Sequence, residues 1–132
     1  MKGIGDLMVI TIDGATGVGK SAVARMVANK LGFYYVSTGR VYRSIAYVIM
    51  GENNKKLEDL DIRSYINVLS LEFKEDTLII NGIEDEEMLQ NEEIAIYAAQ
   101  IGANMNYKKA ISEKIILAVE GRNVVVEGRR IT

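Results

Sequence analysis

Leu7-Met8-Val9-Ile10-Thr11-Ile12-Asp13-Gly14-Ala15-Thr16-Gly17-Val18-Gly19-Lys20-Ser21 decides the fold. A segment apolar almost without alternation, Leu7 to Ile12, gives way at once to glycines, then to Lys20, Ser21 and an alanine-rich helical pattern. The order is strand, glycine loop, helix. The spacing G-x-x-x-x-G-K-S from Gly14 to Ser21 lets the backbone turn its N–H groups inward, making a nest for phosphate oxygens at a helix N-terminus. In that reading Gly14, Ala15, Thr16, Gly17, Val18 and Gly19 cradle phosphate oxygens, Lys20 reaches the β- and γ-phosphates, and the Ser21 hydroxyl ligates Mg²⁺. An ordinary glycine-rich turn is the alternative, and the strand before it and the helix after it argue against that.

The rest of the composition narrows the chemistry. At 132 residues the chain fits one domain with a real core. It contains no Cys, Trp or His, so a disulfide framework, a thiolate zinc site and imidazole acid–base chemistry are excluded. Lys, Arg, Asp/Glu and a metal remain. With 16 basic and 18 acidic residues the net charge is −2, which is not the footprint of a general nucleic-acid binder. No apolar run approaches the ~20 residues that span a bilayer, and Met1 to Asp6 lacks a signal-peptide layout. A cytoplasmic location is expected, with no membrane partner.

Taken in order, Leu7 to Ile12 reads as a parallel strand covered on both faces, inside a sheet. Val23, Val27 and Leu31 recur at i+4 beside Ala24 and Ala28 and predict a first helix stopped by Gly32. Phe33 to Val36 predicts a short strand, Ser37-Thr38-Gly39 a turn and helix cap, and Val41 to Met50 a helix closed by Gly51. A polar loop over 52–59 leads to a helix near 60–70 with Ile62, Ile66 and Leu69 as its packing face. Leu71 to Lys74 and Thr77 to Asn81, split by Glu75-Asp76, predict an antiparallel hairpin. The acidic run Glu84 to Glu87 reads as a solvated helix start, or less readily as a metal site. Ile94, Ala98, Ile101 and Met105 mark one further helix face, Ile111, Ile115, Ala118 and Val119 another, and Val124 to Val126 a buried strand.

Ligands of an open parallel sheet bind beyond the C-terminal ends of its strands. Three such ends carry reactive groups here: Asp13 with the glycine loop, Thr38 to Arg43, and Glu127 to Arg130. Glu127 either holds a Mg²⁺-bound water or caps a neighbouring element. Arg43 and Arg129 suit bidentate grip of a substrate phosphate, and Tyr42 suits contact with a sugar or base. Asp13 is either a substrate-side acceptor or an ordering residue for the turn.

These residues carry a resemblance. The chain resembles the N-terminal portion of bacterial cytidylate kinases, which are nucleoside monophosphate kinases. The likeness covers nearly all 132 residues. It rests on Ile10 to Gly14 running into the glycine loop, Thr38-Gly39-x-x-Tyr42-Arg43, the hairpin ending Ile80-Asn81-Gly82, the alanine-rich helix from Glu93, and Val126-Glu127-Gly128-Arg129. It implies an α/β fold, a P-loop NTPase parallel sheet flanked by helices and truncated after the third core strand. A core over 1–51 and 106–132 would carry a monophosphate-binding insertion, about 52–105, that contains the hairpin and moves on substrate binding. ATP and Mg²⁺ are implied as phosphoryl donor and cofactor. Lys20 and Arg129 are the implied catalytic cations, and Asp13, Thr38, Tyr42, Arg43, Lys108 and Arg129 face the monophosphate.

The chain also departs from that pattern. Arg130 stands where the family usually has Asp, Ala99 where a cytosine-reading serine is expected, and Lys108 where an arginine is expected. Loss of such hydrogen bonds weakens base discrimination. Family members continue through two more parallel strands and an arginine-bearing lid. Two readings therefore stand: a CMP- or dCMP-phosphorylating kinase, or a nucleotide-binding module with impaired catalysis. The family's strand order, second-third-first, would leave Leu7 to Ile12 as an unprotected apolar edge, so self-association or a second polypeptide is expected.

Overall fold

The computed structural model describes residues 8–12, 20–52, 61–85 and 87–128, with the side chains of Lys20, Ser21, Glu52 and Ile62 excepted. Its elements in chain order are β1 (Val9–Ile12), α1 (Lys20–Leu31), β2 (Tyr34–Ser37), α2 (Thr38–Glu52), α3 (Ile62–Asn67), β3 (Leu71–Lys74), β4 (Thr77–Ile80), α4 (Glu92–Ala103), α5 (Met105–Val119) and β5 (Val124–Glu127). One sheet runs β1-β5-β2-β4-β3. The β1–β5, β5–β2 and β2–β4 pairs are parallel, and only the β3–β4 hairpin is antiparallel.

Three valines explain why β5 lies between β1 and β2. Val125 packs toward α1 with Ala24, Ala28 and Tyr35. Val124 and Val126 face the opposite side with α2, α3, α4 and α5. Alternate residues of a strand point to opposite faces, and a continuous apolar run is suited to a strand covered on both sides. The hairpin extends this sheet: Tyr35 N–H donates to Asp76 C=O at 2.6 Å, and Tyr35 is in register with Thr77. Its open end is closed by Asn81, whose N–H donates to Ser70 C=O and whose side chain accepts from Ser70 N–H, both at 2.8 Å.

At the far end of the sheet the Arg122 guanidinium lies 5.0 Å from both the Tyr34 and Phe73 ring centres, which themselves meet edge-on at 4.8 Å. A cation over an aromatic face is attracted by the ring quadrupole. The contact ties the loop before β5 to β2 and β3. Lys114 Nζ donates to the Asn67 and Leu69 carbonyls at 3.0 and 2.9 Å, closing the C-terminal end of α3 with positive charge.

Several expectations are corrected. β1 lies at the rim with one neighbour among the described residues, and Val9 is 52% exposed, so it is not covered on both faces. Val23 and Leu31 are exposed and Val27 is half-buried, while Ala24 and Ala28 form the contact face. Small side chains let α1 approach the Tyr35 ring closely, which valine on that face would prevent. Met105 is exposed and begins α5, because Asn104 breaks the helix and caps the next by accepting from Asn106 and Tyr107 N–H. Among the described residues the acidic run opens a single 3-10 turn, Glu87–Leu89, instead of an α-helix: α4 starts after Asn91, whose side chain accepts from Glu93 N–H at 2.7 Å. Asparagine is a strong N-cap, whereas an acidic run supplies only favourable charge. Glu86 and the loop 53–60 lie outside the described residues.

The two faces of α1 respond oppositely to substitution. Ala28→Leu should destabilise by about 1–3 kcal/mol through overpacking, whereas Val23→Ser should stay within about 0.5 kcal/mol. Urea denaturation of the two variants checks this, and equal losses would contradict the alanine contact face.

Candidate active site

Ile12, Glu127 and Ser37 lie side by side in register at the C-terminal ends of β1, β5 and β2. By strand alternation all three point to the α1 side, as Ile10, Val125 and Tyr35 do two residues earlier. Because β1 and β2 are parallel, the chain leaving β1 must enter α1 at this same end. Lys20 and Ser21 are the first residues of α1. Glu127 is 5% exposed, and Ser37 Oγ donates to its Oε2 at 3.4 Å.

The first turn of α2 is assembled on the end of β5. Ser37 Oγ accepts from Arg40 N–H at 3.3 Å, the capping interaction that serine makes at a helix start. Thr38 is buried, and its hydroxyl donates to the Glu127 carbonyl at 3.1 Å. Gly128 continues the β1–β5 ladder by donating to Ile12 C=O at 3.0 Å. Its φ is +116°, and a Cβ placed there would lie 2.0 Å from Thr38 Oγ1. Two reasons, conformation and space, thus require glycine at this position.

Arg43 folds back over the same turn. A Cβ on Gly39 would stand 3.1 Å from Arg43 Nη1, so the missing side chain makes room for the guanidinium. Arg43 Nε is buried and finds no hydrogen-bond acceptor within the protein among the described residues. A buried N–H of a cation at the positive end of a helix is suited to an anion. Tyr42 lies against α4, its ring atoms 3.7–3.9 Å from where a Gly102 side chain would begin. Ala99 is one turn from Gly102 on that helix and is exposed.

Thr38, Tyr42, Arg43 and Glu127 are therefore brought to one end of the sheet. Lys108 is half-buried on the second turn of α5. Asp13, the loop Gly14 to Gly19, Arg129 and Arg130 lie outside the described residues, as do the side chains of Lys20 and Ser21. Among the described residues no three acidic side chains cluster to hold a metal. Ser37 caps α2 within the Ser37-Thr38-Gly39 turn expected from sequence, whereas Gly102 was not singled out. The Tyr42–Gly102 contact joins residues 60 apart and has no local signature.

A parallel sheet whose first strand leads through G-x-x-x-x-G-K-S into a helix defines a P-loop α/β protein. Within that class the chain belongs to the cytidylate kinase family, whose model matches residues 10–132. It is 34% identical to the cytidylate kinase of Mycoplasma pneumoniae over 125 residues and 33% to that of Mycoplasma genitalium over 122, each alignment covering 92% of this chain. It is 29% identical over 128 residues to the bifunctional pantoate ligase/cytidylate kinase of Prochlorococcus marinus, covering 93% of this chain and 25% of that protein. The chain spans about half the length of the curated relatives it matches, 55% for each of the two Mycoplasma proteins.

The Gly128–Thr38 approach is directly testable. Gly128→Ala should cost at least about 2 kcal/mol, combining left-handed strain with a steric clash. Adding Thr38→Ser, which keeps the hydroxyl, should not rescue it, whereas adding Thr38→Gly should recover the steric part. Thermal unfolding of the three variants checks the order.

Proposed function

We propose that this chain provides the phosphate-binding half of a kinase that transfers the γ-phosphoryl group of ATP to CMP or dCMP. The observation that carries this reading is the Arg43 guanidinium, tucked over the Gly39 turn at the positive end of α2, its buried Nε without an acceptor among the described residues. An oxygen of the acceptor phosphate attacks the γ-phosphorus, the bond to the β–γ bridging oxygen breaks, and ADP and a nucleoside diphosphate leave. The attacking oxygen is already anionic, so no general base is required, and positioning with positive charge supplies the catalysis.

In this assignment Lys20 binds the β- and γ-phosphates within the loop Gly14 to Ser21, and Arg43 and Arg129 orient the acceptor phosphate. Thr38 holds the α2 turn against Glu127, while Tyr42 faces the nucleoside with Asp13 and Lys108 nearby. The donor set fits Mg²⁺: the buried Glu127 carboxylate with the Ser37 hydroxyl, and the Ser21 hydroxyl, offer the few hard oxygens that this ion takes beside substrate phosphates. When bound, Mg²⁺ neutralises charge on the transferring group. Residues 52–105 serve as the monophosphate-binding insertion. With Ala99, Lys108 and Arg130 at the base-reading positions, CMP and UMP bind with little discrimination. We read the location as cytoplasmic; among the described residues no helix is long and apolar enough to cross a membrane.

Lys20→Ala should weaken ADP and ATP by about tenfold, the loss of a charge-assisted contact of about 1.5–3 kcal/mol. Arg43→Ala should weaken CMP similarly and leave ADP nearly unchanged. Calorimetric titration of both variants with both ligands tests the assignment, and equal loss of both ligands in either variant would overturn it.

We also infer that the chain of this length self-associates or takes a second polypeptide. Support comes from the rim: Met8 and Val9 on the edge and Val23, Met26 and Leu31 on α1 are all exposed apolar side chains. β1 carries none of the charges that blunt an edge strand. Light scattering at micromolar concentration should show species larger than the 14.6 kDa monomer, and a monodisperse monomer would refute the inference.

A further inference from the structure

The geometry points to Arg40 as a positioning residue that fixes the loop after the hairpin to the acceptor-binding turn of α2. This rests on the acceptor site proposed above. Arg40 is 6% exposed although it stands in the first turn of α2. Its Nη2 donates to the carbonyl oxygens of Ile83 at 3.3 Å and Glu84 at 2.9 Å, partners more than forty residues away in the chain.

The charge is placed against the helix's own preference. The N-terminal end of a helix is positive, so a cation there opposes the dipole, and one taken out of water is costlier still. The first turn of α2 contains no acidic residue that would offset it. Carbonyl oxygens from another segment accept from its Nη2 and supply part of the compensation. Glu84 is thereby held twice, by its backbone to α2 and by its carboxylate to Lys74 of β3 at 2.7 Å. The second tie is exposed on both sides, 63% for Lys74 and 55% for Glu84, and such pairs contribute little. Lys74 Nζ donates to the Glu84 carboxylate, and that hydrogen bond holds the Lys74 ammonium above its usual range. Arg40 is the buried tie of the two.

The consequence concerns geometry at the site. The turn that carries Thr38, Gly39 and Arg43 is fixed to β5 through the Thr38 hydroxyl and the Glu127 carbonyl. Arg40 fixes the same turn to the chain leaving β4. With both contacts present, α2 cannot shift along its axis relative to the sheet without breaking a buried hydrogen bond. The position of Arg43, and so of the acceptor phosphate, follows from both.

Three variants separate this role from a purely structural one. Arg40→Ala should raise amide hydrogen exchange at residues 81–85 by about tenfold and weaken CMP by a similar factor, the scale of a charge-assisted hydrogen bond, while ADP affinity stays within about twofold. Arg40→Lys, which keeps the charge but not the fork, should fall between Arg40→Ala and the unaltered chain. Glu84→Ala, which keeps the carbonyl, should change neither readout by more than about twofold. Faster exchange with unchanged CMP affinity in Arg40→Ala would overturn the positioning role, and so would unchanged exchange. If the unaltered chain binds ADP but no CMP or UMP, the acceptor assignment fails and this role with it. Equal CMP binding with and without Arg40 removes only Arg40.

Discussion

The close approach of the Gly128 backbone to the Thr38 side chain is the constraint on which the site depends. It brings the end of β5 and the start of α2 together with no room for a side chain between them. The Thr38 hydroxyl can then reach the Glu127 carbonyl. The Glu127 carboxylate is left directed to the α1 side beside Ser37, at the end of the sheet where α1 must begin. Moving α2 outward to admit even a methyl group would separate these groups, because the packed interior transmits such a displacement rather than absorbing it.

The electrostatics of α2 follow from what that turn lacks. Most helices place acidic groups in the first turn, where they stabilise the dipole. Here Arg40 and Arg43 occupy the opening turns and no carboxylate accompanies them. The arrangement disfavours the isolated helix and favours a bound anion. Carbonyl groups of residues 83 and 84 accept from one guanidinium, and the buried Nε of the other finds no acceptor among the described residues. A binding site is often recognised by such local inconsistency with the rules of stable helices.

The sheet itself shows how the same residues can be read correctly as an element and incorrectly as an environment. The apolar run at β1 does form a parallel strand, but being apolar does not place neighbours on both sides of it. β5 carries a similar apolar run and is covered on both faces because α1 packs on one side of it and α2, α3, α4 and α5 on the other. On α1 Val23 and Leu31 recur at helical spacing and yet stand outside, with Val27 at the margin of the contact, since the approach to Tyr35 and Val125 is led by Ala24 and Ala28. Periodicity reports that a face exists; packing against particular partners decides which face is used.

What the amino-acid sequence by itself determined was local and contiguous. The glycine loop between strand and helix, the strand–helix alternation, the hairpin around Glu75-Asp76 and the chemically loaded strand ends are all encoded within a few residues, where backbone sterics and hydrogen-bonding groups act directly. The motifs Thr38-Gly39-x-x-Tyr42-Arg43 and Glu127-Gly128-Arg129 carried the family resemblance for the same reason. What only the tertiary structure decided was which distant groups meet. Thr38 on Gly128, Tyr42 on Gly102 and Arg40 on the carbonyls of 83 and 84 each join segments 43 to 90 residues apart. No local preference specifies such pairs, because they arise when strand order and helix packing bring the segments together, and the burial that follows makes each hydrogen bond and each missing side chain matter.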